Sequence, residues 1–199
     1  MMKLVIYLNY LRAIPAILAY LFVSDKEVVN KDIERNLGDK NKGNHDRVIF
    51  KLVRLLVYKK PFRNIFYYRI KQKNKVIGGV LNFFFHQKPD LEISGDIGPG
   101  LAIWHGYGTV ISCNKIGENF SVWQGVTIGR NPKPLLDNDK PNIGDNCAVY
   151  SNAVVAGGIE IGNNVKIGAG CICMKNVPDN SVVIGNPCII KSNTVKENV

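Results

Sequence analysis

The chain has 199 residues, 46% of them hydrophobic, and a formal net charge of +10 at pH 7. That length suits one domain or one and a half, and the apolar share is enough for a buried core, which excludes a disordered chain. The charge is uneven: residues 1–88 hold 18 Lys and Arg against 6 Asp and Glu, a net of +12, while residues 89–199 hold 8 against 10, a net of −2.

Attraction to anionic partners therefore belongs to the first half. It contains no zinc-finger spacing and no RNA-binding motif, so nucleic acid is not the expected partner. Leu4 to Val23 is long enough to span a bilayer, but it contains Asn9, Arg12 and Pro15. An arginine near the middle costs about 2.5–3.5 kcal/mol on the insertion scale, so a buried or interfacial helix bent at Pro15 is expected instead. Ser24 and Glu27 fit a capping box for a second helix, with Val29, Ile33 and Leu37 on one face and Gly38 closing the end. Asp39 to Asp46 reads as a polar loop. Arg47 to Lys60 carries an apolar stripe of Val48, Leu52, Leu55 and Leu56. Pro61 opens the next helix, with Phe62, Phe66 and Ile70 on one side, and "VIGGVLNFFFHQK" is ambiguous between helix and strand. Residues 1–88 form a basic helical region on this reading.

The second half, 89–191, keeps a six-residue beat. Ile143, Val149, Val155, Ile161, Ile167 and Cys173 follow at steps of six, and Val110, Ile116, Val122 and Ile128 continue it upstream. Four residues after each later lead stand Cys147, Ala153, Ile159, Val165, Cys171 and Val177, all small or apolar. Neither a helical period nor plain alternation produces this. A β-solenoid does: each unit is a short strand and a turn, three units make a triangular coil, and the lead side chain stacks inward on its equivalent one coil away. Glycine and asparagine take the turn conformations. The five cysteines form no C-x-x-C pair, and Cys147, Cys171 and Cys173 fall on inward positions, so they read as reduced packing thiols of a cytoplasmic protein. The beat breaks between Ile128 and Ile143, where residues 131–141 form an excursion with three prolines. Residues 192–199 are a tail.

The stretches "IGPGLAIWHGYGTVI", "IGENFSVWQGVTIGRN", "NIGDNCAVYSNAVVAGGIEIGNNVKIGAGC" and "VPDNSVVIGNPCII" together resemble the hexapeptide-repeat acyltransferases, and within them the serine acetyltransferase branch. The helical leader "YLRAIPAILAYLF", "KDIERNL" and "PFRNIFYYRI" is similar to that of serine acetyltransferase-like enzymes of polysaccharide gene clusters. The resemblance implies helices followed by a left-handed parallel β-helix, an α+β chain. It implies a homotrimer with sites between subunits, and direct acetyl transfer from acetyl-CoA to a hydroxyl. The basic helices would then sit on the trimer or touch an anionic membrane peripherally.

Such a reaction needs a base for the hydroxyl proton, donors for the carbonyl oxygen and two substrates held in line. His105 aligns with the family's catalytic histidine, and imidazole has a suitable intrinsic pKa. Asp90, or Glu92 two residues on, is the expected carboxylate behind it. Gly129, Ser151 and Ala169 align with CoA-binding positions, and Lys175 could meet phosphates. No metal is expected, since His45 and His86 lie outside the repeat. Two positions depart from the serine enzymes: Trp104 replaces an aspartate before the histidine, and Asp139 and Lys140 replace an arginine and a histidine at the foot of the excursion. Both changes suit a saccharide acceptor, with Trp104 stacking on a sugar ring. The alternatives are serine O-acetyltransferase, of which the terminal Val199 is a weak echo, and a non-enzymatic β-helix scaffold.

Overall fold

The computed structural model describes residues 2–38, 47–71, 75–131 and 139–192, and of residues 2–4, 71 and 75–78 the backbone alone. The expected loop at 39–46 with His45, most of the excursion, and the tail with Val199 lie outside the described residues. The chain divides into two compact units, Met1–Pro89 with Pro99–Ala102, and Asp90–Gly98 with Ile103–Val199.

The first unit is helical: α1 (Met2–Leu8), α2 (Tyr10–Phe22), α3 (Lys26–Leu37), α4 (Val48–Tyr58), α5 (Lys60–Lys71) and α6 (Lys75–Phe84). The break in the N-terminal helix falls at Asn9, not at the expected Pro15, which lies inside α2. Asn9 turns its side-chain amide back onto the Val5 carbonyl at 2.8 Å, a local bond that competes with helix continuation. The cap of α3 is Asp25 rather than Ser24: its carboxylate accepts the Val28 N–H at 3.2 Å. Pro61 is the second residue of α5, and the ambiguous stretch after it is the helix α6. Phe62, Phe66, Tyr67, Leu52 and Leu56 are fully buried, each contributing about 1.5–3 kcal/mol. Among the described residues no helix is long and apolar enough to cross a membrane.

A buried ion pair sits in this core. Asp32 accepts Arg69 Nε at 2.8 Å, and its other oxygen accepts the Gly100 and Leu101 N–H groups, both at 2.8 Å. Burial pushes the Asp32 carboxyl above the usual range, while Arg69 and the two amides pull it back. Asn36 adds a bond to the Leu101 carbonyl at 2.7 Å, so residues 99–102 are pinned within the helical unit.

The second unit is a parallel β-solenoid with three faces. The first holds β2 (Ala102–Ile103), β4 (Ser121–Val122), β7 (Ala148–Val149), β10 (Lys166–Ile167) and β12 (Ser181–Ile184). The second holds the start of β1 (Leu91–Ile97), the start of β3 (Thr109–Ile116), β5 (Thr127–Gly129), β8 (Val154–Ala156) and β11 (Ile172–Cys173). The ends of β1 and β3, then β6 (Asn142–Ile143), β9 (Glu160–Ile161) and Val177, make the third. The described residues thus complete five coils of a left-handed β-helix. The last strand, β13 (Ile189–Ser192), folds back antiparallel on β12.

The inward columns are those of the six-residue beat, with one exception. Val122 stacks under Val149 and Ile167, Ile128 under Val155 and Cys173, and Ile116 under Ile143 and Ile161, all buried. Val110, expected inside, is half-buried, and Ile111 fills the core instead, in register with Ile93 and Ile128. A shift of one residue exchanges the two faces of a strand, and two adjacent aliphatic residues hide it. The I-G-x-N corners explain themselves. A Cβ on Gly144 would lie 2.8 Å from the Gly162 backbone, and Asn119, Asn146 and Asn164 occupy the left-handed region at φ 57°.

Cys113, Cys147, Cys171 and Cys173 are buried in this core as free thiols. Burial pushes Cys113 and Cys147 up to about 11, so they are packing groups and not nucleophiles.

Candidate active site

β2 delivers the chain into Trp104, His105 and Gly106, where it reverses. The Gly106 N–H donates to the Trp104 carbonyl at 2.8 Å, which closes a three-residue turn around His105 at φ 64°. Gly106 and Gly108 also have positive φ. The other non-glycine residues at positive φ among those described are all asparagines. His105 is the exception, and its side chain is exposed. A left-handed residue other than glycine is held against about 1–3 kcal/mol of strain, and such residues cluster where a side chain must be presented. The imidazole is not packed into the core of its own chain.

The turn is braced from both neighbouring coils. Below it, Asp90 Oδ2 accepts the Gly108 N–H at 3.2 Å and the Asp90 carbonyl accepts Thr109 N–H at 3.1 Å. Above it, Gly125 N–H donates to the Tyr107 carbonyl at 2.7 Å. The buried Thr109 hydroxyl lies 3.2 Å from the Trp123 carbonyl. Asp90 thus stands beneath the histidine turn with its carboxylate on the turn's backbone. Asp90 and Glu92 are both exposed on either side of buried Leu91, so they do share a face, and Glu92 is in register with Val110.

Trp104 begins a stack. Its ring lies 6.3 Å from that of Trp123 at 27°, and Trp123 lies 4.5 Å from Tyr150 at 29°. The three occupy equivalent places on successive coils: Trp104 N–H donates to Val122 O, Trp123 to Val149 O and Tyr150 to Ile167 O. Sequence reasoning missed Trp123 and Tyr150. The signal was present, since each directly follows an inward valine of the first face. Gln124, next to Trp123, has a buried Oε1 with no hydrogen-bond partner among the described residues. Such an acceptor costs about 1–3 kcal/mol unless a donor reaches it.

The remaining candidates separate into two corners. Ser151 and Ala169 are brought together in one column with Gln124, because Asn152 N–H donates to Gln124 O and Gly170 N–H to Ser151 O. This is the corner of the aromatic stack. Gly129 lies at the opposite end of the second face, opposite Ala156, and a side chain there would meet nothing within 4 Å. The exposed Lys175 belongs to the same corner two coils on, just past β11. So do the feet of the excursion: Asn131 N–H donates to Asp139 O at 3.2 Å, and Arg130 Nε pairs with Asp139 Oδ2 at 3.2 Å. Asp139 therefore closes the loop, with half-buried Lys140 beside it. No group of three or more His, Cys, Asp or Glu suited to a metal occurs among the described residues.

The profile of the family described as bacterial transferase hexapeptide (six repeats) matches residues 140–174. A serine acetyltransferase of Bacillus pumilus is 38% identical over 115 residues, 57% of this chain and 51% of the relative. One of Staphylococcus aureus is 42% identical over 103 residues, 50% and 47% of the two chains. The solved structure of Neisseria gonorrhoeae serine acetyltransferase superposes with a TM-score of 0.65 at 28% identity, covering 87% of this chain and 68% of that one. Repeat, fold and turn are together similar to those of the bacterial transferase hexapeptide proteins. Within that class the similarity is to serine acetyltransferases. The chain spans about half the length of the curated relatives it matches.

Proposed function

We propose that the protein is an acetyl-CoA-dependent O-acetyltransferase with His105 as general base. The observation that carries this is the exposed imidazole on a left-handed turn braced by the coils on either side. A ring nitrogen takes the acceptor's hydroxyl proton as the oxygen attacks the thioester carbonyl. The C–S bond then breaks, and the imidazolium returns its proton to the departing thiolate. The products are an acetyl ester and the free CoA thiol. Direct transfer forms no acyl-enzyme, in keeping with the burial of Cys113, Cys147, Cys171 and Cys173.

Ser151 and Ala169, one column along the stack, would receive part of CoA, and the buried Gln124 Oε1 would accept from its amide groups or from the acceptor. Gly129, Lys175 and the feet of the excursion, Asn131 and Asp139, lie at the other corner of the same chain. A cyclic trimer would set one copy's histidine corner against the next copy's excursion corner, and both sets would then face one cleft.

The names of the relatives favour L-serine as the acceptor, and a Neisseria gonorrhoeae neighbour was solved in complex with serine. A second reading, a saccharide hydroxyl, is favoured by the stack of Trp104, Trp123 and Tyr150 beside the base, since sugar rings lie against aromatic faces. Thiol release from acetyl-CoA, measured with purified protein and either L-serine or neutral saccharides, decides between them. Turnover with serine removes the saccharide reading. No turnover with either, together with no effect of His105→Ala on slow CoA release, leaves the scaffold.

A further inference from the structure

We infer that the outer face of α1 and α2 is a docking surface for an anionic lipid bilayer. The inner face of α2 is closed, with Ala13, Ala16, Ala19 and Tyr20 buried in the helical unit. Leu8 at the end of α1 and Leu11, Ile14, Leu18, Leu21 and Phe22 on the other side of α2 recur every three or four residues and are 44 to 84% exposed. That spacing makes one continuous stripe along the helices. Single exposed leucines are ordinary, but a contiguous stripe of large apolar side chains marks an interaction surface. On α6, which Arg12 ties to α2 through the Phe84 carbonyl, Val80 and Phe83 are exposed as well.

Charge selects the occupant. Residues 2–24 contain no Asp or Glu, and residues 47–88 contain 11 Lys and Arg and no acid. A second copy docked on this stripe would bring two strongly basic units together, and like charges oppose that. An anionic bilayer is complementary to both features at once: it takes the apolar side chains at the headgroup boundary and the basic groups at its charged surface. The two helices together run for roughly 30 Å, break at Asn9 and carry the charge of Arg12, so they lie in the interface plane and do not cross it.

The test uses the full chain and vesicles of phosphatidylcholine alone or mixed equally with phosphatidylglycerol. The protein is expected to co-sediment at least about tenfold more strongly with the anionic vesicles, and less so as salt is raised. Replacing two exposed side chains, Leu11→Ser with Phe22→Ser, is expected to weaken that binding at least about tenfold with an unchanged thermal melt. If the double variant unfolds, Leu11→Gln alone repeats the measurement. Absence of vesicle binding, or binding that these substitutions leave intact, overturns the inference. So does self-association in sedimentation velocity that the double variant abolishes while neither protein binds vesicles, which would assign the stripe to a second copy. None of these residues belongs to the candidate active site, so the outcome is independent of the acetyltransferase reading.

Discussion

Trp123 and Tyr150 lie one coil apart with ring centroids 4.5 Å from each other and planes 29° from parallel. Stacked pairs of this kind are worth about 0.5–1.5 kcal/mol beyond their buried area. If the column is the wall on which the acceptor rests, Trp123→Ala will raise the acceptor KM by about threefold to tenfold and leave the KM for acetyl-CoA nearly unchanged. Steady-state kinetics with each substrate varied in turn reads this directly. A change confined to acetyl-CoA would move the stack to the CoA channel.

His105→Ala is expected to lower kcat by about 10²–10⁴-fold, the range of a lost general base. His105→Asn should be equally inactive, yet its melting temperature should stay level or rise. Asparagine is the residue this protein uses at its other left-handed positions outside glycine. A stable, inactive Asn variant separates chemistry from folding.

Asp90 touches the Gly108 backbone N–H through Oδ2 at 3.2 Å. An asparagine side chain can still accept that bond through its oxygen. Asp90→Asn should therefore keep activity within about threefold while Asp90→Ala loses about tenfold, if the group acts by holding the turn. Should both fall together and the acidic limb of the pH–rate profile shift, Asp90 supports the imidazolium by its charge.

Alkaline pH should weaken the β-helix. Cys113 and Cys147 titrate at about 11 in the folded chain against an ordinary 9.0. Between those values the unfolded chain has released protons that the folded chain still holds, so stability is intact below about 9 and falls as pH rises toward 11. Lys59 works the other way in the helical unit: burial lowers it to about 8 from 10.5, so its contribution grows as pH rises from about 8 to 10.5. Chemical denaturation followed through Trp104 and Trp123, which both report on the β-helix, should show the loss. Cys113→Ala with Cys147→Ala should flatten it.

Asp32→Asn should destabilise the helical unit by about 3–5 kcal/mol, the usual result of breaking a buried pair from one side. Arg69 would lose its carboxylate, at 7% side-chain exposure, and two backbone amides their charged acceptor. Circular dichroism melts of the full chain measure it.

The β-helix was legible because its inward side chains repeat at a fixed step, and a column of Ile, Val and Cys has no other cause. The histidine turn was legible for a related reason: an imidazole among glycines breaks the beat. Other features had no such mark. Ser24 and Asp25 are both good caps, so only the Val28 bond distinguishes them. Val110 and Ile111 are both aliphatic, and the turn before them decides which points inward. Asp32 looks like a solvated acid in "KEVVNKDIERNL" until Arg69 and residues 100 and 101, far along the chain, close around it. The exposed stripe of α2 was read as burial or interface because apolarity alone does not say which side of a helix is covered.

The hairpin at the C-terminal end has an effect beyond its own few bonds. A stack of parallel coils finishes in an open row of amides and carbonyls that would accept another coil, from this chain or a neighbouring molecule. By reversing direction, β13 occupies that row along Ser181–Ile184 with an antiparallel partner. Along that face the stack offers no parallel row to a further coil, which blocks its direct continuation there.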